Sequence, residues 1–348
     1  MIFKTAFLAA ASLLLVATAN AAPANLRYHL VKSVPLGAPD RWDYVVYDPI
    51  SHHVFVAHGD KVSVVDGRTG AVIGNVEGMP GGTHGIGIVS QLNKGYTDDG
   101  KAGEAVAFNL QTLKVEKRIK AQDDADSIAF DPVSGHIFVV DGDSKVLTVI
   151  DPKTDQVVAT VNGGGGLEYS VSGGNGKLYV NGAENKELVR IDTATNKADA
   201  HWPIPNCTSP HGLAIDQASH RLFVSCVNAV MTIVNSDNGD VVATLPIGRG
   251  TDAAAFDPQR KLAFSSNGVT GEITVIREID PDHFVVAGEI KSPVSGRTMG
   301  IDPDTGRLFL AAADIDPNAP VPPGRNGRPG RPKLVPGSLK LLFYDPQS

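Results

Sequence analysis

Seven ionisable residues recur at one position of a repeating frame in this 348-residue chain: Asp43, His84, Asp126, Glu168, His211, Asp252 and Arg297. Each stands five residues ahead of a turn position that reads Asp-Pro in its clearest copies, as at Asp48-Pro49, Asp131-Pro132 and Asp257-Pro258. Only about a quarter of the residues of an average protein are charged, so a column ionisable in every copy is a functional signal. Four consecutive members, His84, Asp126, Glu168 and His211, offer two imidazoles and two carboxylates. That set suits Zn²⁺ or Cu²⁺, and the carboxylates alone suit Ca²⁺ or Mg²⁺. The other three, Asp43, Asp252 and Arg297, suit a small anionic or polyol ligand, with Arg297 as a carboxylate or phosphate fork. Trp42 and Tyr169 flank ring positions and would serve as stacking surfaces, although the alternation of strand side chains turns such neighbours toward the core. With a bound metal polarising a carbonyl, His84, Glu168 or His211 would be the general base of a lactonase or lyase. The competing structural reading is a polar lining of a water-filled channel, in which Asp252 and Arg297 neutralise one another.

Residues 126–161 are the clearest copy of the unit that must position this column: four short runs rich in Val, Ile and Phe, separated by turn chemistry at Asp131-Pro132 and Asp151-Pro152. The unit returns at a period of a little over 40 residues through the chain, and seven copies are found. Four antiparallel strands at this period predict an all-β fold, a seven-bladed β-propeller occupying residues 22–348 as one domain. The start of each innermost strand then faces the axis, and all seven starts lie on one face, the mouth. The last copy ends after its third strand, whereas residues 28–36, YHLVKSVPL, resemble the fourth strands VVATV and VVATL. The N-terminal strand is therefore expected to complete the seventh blade and close the ring.

The strand sequences LYVNG at Leu178, KVSVVD at Lys61 and LTVID at Leu147 resemble those of the YVTN-repeat propellers of the YncE-like periplasmic type. The resemblance covers essentially the whole chain after its first residues. It implies the seven-bladed fold and a binding or scaffold role. Some related propellers open lactones or lyse cyclic esters at a central metal, and the family has a precedent for nucleic-acid binding.

Lys4, an apolar run from Ala6 to Ala17 and the small-residue pattern Ala19-Asn20-Ala21 read as a signal peptide over residues 1–21. The mature protein is then expected to be periplasmic or secreted, without a membrane span, and a monomer. Its net charge is −7 with the leader and one unit more negative without Lys4, which fits nucleic acid poorly. The one dense basic cluster, Arg325, Arg328, Arg331 and Lys333, falls in a Pro- and Gly-rich insertion of blade 7, residues 314–337, that is either a lid over the mouth or a solvated tail. Thr97 to Glu104 reads as a second long connection over the mouth. His58 and Asp141 end second strands on the same face, as solvated ends or as an outer shell for the ring. Cys207 and Cys226 fall near one rim and are expected to form a disulfide or, failing that, a soft-metal pair. No GxSxG, GxxxxGK, HExxH, CxxC or CxxCH motif occurs, which sets aside the common hydrolase, nucleotide, zinc-protease and haem signatures. The partner is expected to be a small polar ligand or a protein engaging the channel mouth.

Overall fold

The computed structural model describes residues 27–321, 330 and 332–347; the proposed signal peptide and Arg325, Arg328 and Arg331 lie outside the described residues. The described chain forms seven four-stranded antiparallel sheets, with two single-turn 3₁₀ helices in blade 2 as the only helical elements among these residues. Blades 1 to 6 are each built from four consecutive strands, beginning with Val45–Asp48 in blade 1 and Ile86–Val89 in blade 2. In the seventh sheet the strands Thr298–Ile301, Leu308–Ala312 and Lys340–Pro346 come from the C-terminal end of the chain. Its outermost strand is the N-terminal Tyr28–Pro35, paired antiparallel from Tyr28 opposite Pro346 to Pro35 opposite Lys340.

The core follows from the two-residue alternation of the strands. Middle strands are buried on both faces and read as continuous apolar runs, such as residues 137–140 of blade 3. Their side chains fill one apolar cluster at each seam between neighbouring blades, including a seam in which Trp42 and Val54 of blade 1 meet Phe309 and Phe343 of blade 7. The outer strands show a register shift in blades 1 to 6, which sharpens their twist.

The turn aspartates do more than make turns. Asp131 is fully buried, accepts the Ser134 N–H at 2.8 Å, and accepts the Ser172 hydroxyl of blade 4 at 2.7 Å. Asp48 likewise accepts the Ser90 hydroxyl of blade 2 at 2.9 Å, and Asp216 accepts Lys261 of blade 6 at 2.6 Å. Each such contact ties one blade to the next on the face opposite the mouth.

Two loop expectations change. Thr97 to Glu104 is not a long connection: the ladder runs on to Asp99 opposite Glu104, and a single 3₁₀ turn at Gly100–Ala102 reverses the chain. Its polar residues continue the strands, because Thr97, Asp98 and Asp99 find partners or burial inside the fold. Of the 314–337 insertion, the described stem is a bridge between Ile315 and Leu334. It is held at its base by Asp40, which accepts the N–H groups of Gly337 at 2.6 Å and Leu339 at 3.0 Å. Cys207, in the crossing from blade 4 to blade 5, is bonded to Cys226 at the end of that blade's second strand, with Cα atoms 5.3 Å apart, so the soft-metal alternative falls away.

Candidate functional site

All seven members of the ring column line one cavity of about 300 Å³ at the mouth, together with Arg41, Trp42, Tyr44 and Tyr169. The backbone aims them there by two devices. In blades 3 to 6 the ring residue falls where pairing of the first two strands shifts register, as between Ala125 and Ile128 or between Leu167 and Ser170. A bulge takes a residue out of the ladder and redirects its side chain. In blades 1, 2 and 7 the paired inner strand begins only after the ring residue, at Val45, Ile86 and Thr298. The funnel is narrow partly because both ring histidines precede a glycine. A Cβ on Gly85 would stand 2.0 Å from the Asp126 carbonyl oxygen, and one on Gly212 would stand 2.4 Å from the Ala253 carbonyl carbon, so no other residue would let these inner strands approach so closely.

His84 is held from both sides of its ring. Asp98, fully buried at the end of the second strand of blade 2, accepts the His84 backbone N–H at 2.7 Å and faces Nδ1 at 2.8 Å. On the other side of the ring, Nε2 lies 3.0 Å from a guanidinium nitrogen of Arg41. Burial pulls the His84 pKa down, but the hydrogen bond and charge of Asp98, then the charges of Asp126 and Asp43, outweigh it and raise it to about 9. Burial raises Asp98 to about 6, against the opposing hydrogen bonds and charge of His84. The two shifts describe one pair: between these values the buried form is an imidazolium on a carboxylate. In that form Nε2 carries a proton, and it and Arg41 are two donors facing one another.

The acidic side of the funnel is formed by Asp43, Asp126 and Glu168. Asp126 keeps some surface toward the channel, yet it is enclosed by the surrounding blades. Burial, then the charges of Asp43 and Glu168, push its pKa well above the usual carboxylate range, and His84 opposes them. The floor is aromatic. Tyr44 of blade 1 and Tyr169 of blade 4 stack with ring centres 4.6 Å apart, across nearly the full width of the ring. Burial pushes both phenols up, Tyr169 to about 12, so both are neutral donors at physiological pH.

The remaining ring members are arranged less openly. Arg297 donates to Asp252 at 2.7 Å and to the Trp42 carbonyl at 2.6 Å, and its guanidinium lies 4.8 Å from the centre of the Trp42 ring. The expected carboxylate fork is thus engaged by Asp252. Trp42 is 2% exposed and packs into the seam between blades 7 and 1, where its face carries Arg297. His211 is buried, with Nδ1 at 3.2 Å from the Pro210 carbonyl and 3.9 Å from a Glu168 oxygen. Among the described residues, no group of three or more His, Cys, Asp or Glu side chains is placed to hold a metal ion.

Sequence reasoning gives no signal for Arg41, which lies ahead of the first repeat; it places Asp98 at the mouth-facing end of a second strand, within the expected Thr97–Glu104 connection, but does not identify it as the partner of His84. It also assigns a possible outer shell to His58 and Asp141, but both are buried and bonded to their own blades and to the crossings that lead into them. His58 is fully buried, with Nε2 at 2.8 Å from the Pro39 carbonyl and Nδ1 at 2.8 Å from the Ser63 hydroxyl. Asp141 accepts the Thr148 hydroxyl at 2.7 Å, and burial raises its pKa to about 6. Neither is the solvated strand end that the pattern suggests. Beyond the mouth, a second, shallower depression shares Asp126 and Glu168 and runs outward past Asp124, Asp143 and Glu184.

No family model matches the chain. It is 23% identical over 176 residues to the uncharacterized protein YncE of Salmonella typhimurium LT2, a match spanning 49% of this chain and 48% of that protein. Among solved structures, the WD40 repeats of RRP9 superpose with a TM-score of 0.77 at 10% identity, covering 92% of this chain and all of that one. A chain of the hydrazine synthase of Kuenenia stuttgartiensis superposes with a TM-score of 0.66 at 16% identity, covering 77% and 91%. These structural likenesses carry the fold alone. The chain is a β-propeller related to YncE.

Proposed function

We propose that this propeller is an exported binding protein that takes a small polar ligand in the funnel at its mouth. The observation that supports the reading best is convergence: seven ionisable residues, one from each blade, border a single cavity of about 300 Å³ over a tyrosine floor. A cavity of that size suits a small molecule, and a few convergent polar groups fix its orientation. The reading is tested by calorimetric titration of the wild type and Glu168→Gln with panels of polyols, organic acids, amino acids and divalent cations. At least one compound should bind the wild type and bind the variant at least about tenfold more weakly, the loss expected for one charge-assisted contact. Binding indifferent to Glu168 would contradict it.

A metal-dependent lactonase or lyase at the same residues is the second reading, favoured by a buried His–Asp pair beside a carboxyl, Asp126, whose pKa burial and neighbouring charges push above the usual range. Such pairs mark sites of acid–base chemistry. An imidazolium that persists to about 9 makes His84 a general acid rather than a base at neutral pH. Glu168 is then the base candidate, with His211 buried behind it. Turnover of a lactone panel that disappears in Glu168→Gln while ligand binding survives would favour this reading over simple binding. Nucleic acid remains the poorest fit, because carboxyl groups outnumber guanidiniums at the mouth and stand without any Lys or Arg in its outer depression.

A further inference from the structure

The charges bordering the funnel are of both signs and unequal. Four carboxyl groups, Asp43, Asp126, Glu168 and Asp252, of which Asp126 holds its proton more tightly than usual, stand against the guanidiniums of Arg41 and Arg297, while the charge of His84 is matched from behind by Asp98. Arg297 is tied to Asp252. The cavity as a whole therefore favours a ligand that brings in positive charge, and a neutral polyol would leave the repulsion among its carboxylates unrelieved. A bare divalent cation is a poor occupant, because no set of three ligating side chains is in place among the described residues. An ammonium group is better suited, since it needs hydrogen-bond acceptors rather than a coordination polyhedron.

The opposite requirement comes from Arg41 and His84. Arg41 is exposed and reaches over the mouth to within 3.0 Å of Nε2, while Asp98 holds the imidazole from behind in one orientation. Arg41 donates to Nε2 while the ring is neutral, but once the ring is protonated against Asp98 the two are donors without an acceptor between them. An oxyanion placed against both would turn that repulsion into two charge-assisted hydrogen bonds. The stacked Tyr44 and Tyr169 rings offer an apolar surface with phenolic donors, suited to the short carbon frame joining the two charges.

Building on the reading of the mouth as a small-ligand site, we propose that the funnel recognises an α-amino acid or similarly short aminocarboxylate. Its ammonium faces Asp43, Asp126 and Glu168, and its carboxylate is held by Arg41 and His84. The zwitterion satisfies both halves of the lining at once, which neither an amine nor a carboxylic acid alone does.

The test uses the full mature chain and each proteinogenic L-amino acid as a probe, first by thermal shift and then by calorimetry. For the tightest binder, the Nα-acetyl derivative and the decarboxylated amine are titrated alongside it. The expected result is that each loses about tenfold or more in affinity, one charge-assisted contact being removed in each. Arg41→Gln should weaken the amino acid by about the same factor and leave the decarboxylated amine unaffected. Arg41→Lys should retain part of the binding. Arg41 is exposed, so the midpoint of the ligand-free variant should match the wild type and exclude misfolding. An amine that binds as tightly as its parent amino acid overturns the proposal. A polyol, organic acid or divalent cation that binds through Glu168 while no amino acid does also overturns it, and leaves the mouth standing as a ligand site. Failure of every probe, or binding that ignores both Arg41 and Glu168, overturns this inference and the reading beneath it together.

Discussion

Replacing Asp98 by Asn removes a charge without changing the shape of a fully buried side chain, and isolates what holds His84 in its imidazolium form. The carboxylate accepts from both the His84 backbone N–H and the ring, at 2.7 and 2.8 Å. His84 is raised from an ordinary value near 6.5 to about 9, and a difference of that size corresponds to about 3 kcal/mol of preference for the charged form in the folded protein. The side chain is 19% exposed, so solvent screening brings the expected contribution to about 2 to 3 kcal/mol. Between pH 6.5 and about 9 the folded protein holds a proton on His84 that the unfolded chain has released. Stability from this group is therefore complete below 6.5 and is lost as pH rises through about 9. In Asp98→Asn the imidazole keeps only the weaker support of Asp126 and Asp43 against burial, so its pKa should fall to 6.5 or below and the decline of stability across that window should flatten. Two measurements check this: urea unfolding at pH values from 6 to 9.5, and titration of the ring nitrogen resonances of His84. A wild-type His84 that titrates near its ordinary value, or a variant in which it still titrates near 9, would refute the reasoning.

Three further outcomes follow from the packing and the charges. Substituting both Cys207 and Cys226 by Ser, or reducing the bond, opens a loop with a sequence separation of 19 that holds the first two strands of blade 5, and should cost about 3 kcal/mol on chain-entropy grounds, measured by denaturant unfolding with and without reductant. Asp131→Ala strips a fully buried acceptor from the Ser134 N–H and the Ser172 hydroxyl, and should cost about 2 to 4 kcal/mol in the same assay, while Asp151→Ala at an exposed turn should cost well under half as much. Asp126 retains its proton above the usual carboxylate range, and Asp43, Glu168, His84, Asp98 and Tyr44 surround it. An ammonium arriving there should expel that proton, so calorimetry in buffers of different ionisation enthalpy should register proton release on binding, and uptake would contradict the assignment.

The blades were legible because turn chemistry repeats. The Asp-Pro positions mark where each innermost strand ends, and counting back five residues reaches the mouth in every copy, worn or clear. That same count located the seven funnel residues, since a bulge or a late strand start places the residue on the axis whichever blade it belongs to. What the count cannot reach lies outside the frame. Arg41 precedes the first repeat and enters the mouth by the reach of its side chain. Asp98 is readable as a strand end on the mouth face, but its pairing with His84, like the bond of Thr97 to the Gly85 carbonyl, is set by the fold. Tyr44 and Tyr169 are neighbours of ring residues in sequence, but their stacking depends on two blades nearly opposite one another, which no local pattern encodes. Trp42 was readable as either core or ligand surface, and burial in the seam with Arg297 on its face favours core.

A crystal structure of the protein with its tightest-binding amino acid tests the central claim most directly. The account predicts one molecule at the mouth, above the Tyr44–Tyr169 stack, with its carboxylate within hydrogen-bond distance of Arg41 and His84 and its ammonium within reach of Asp126 and Glu168. A ligand bound elsewhere on the propeller, or seated in the mouth in the reverse orientation, would contradict it.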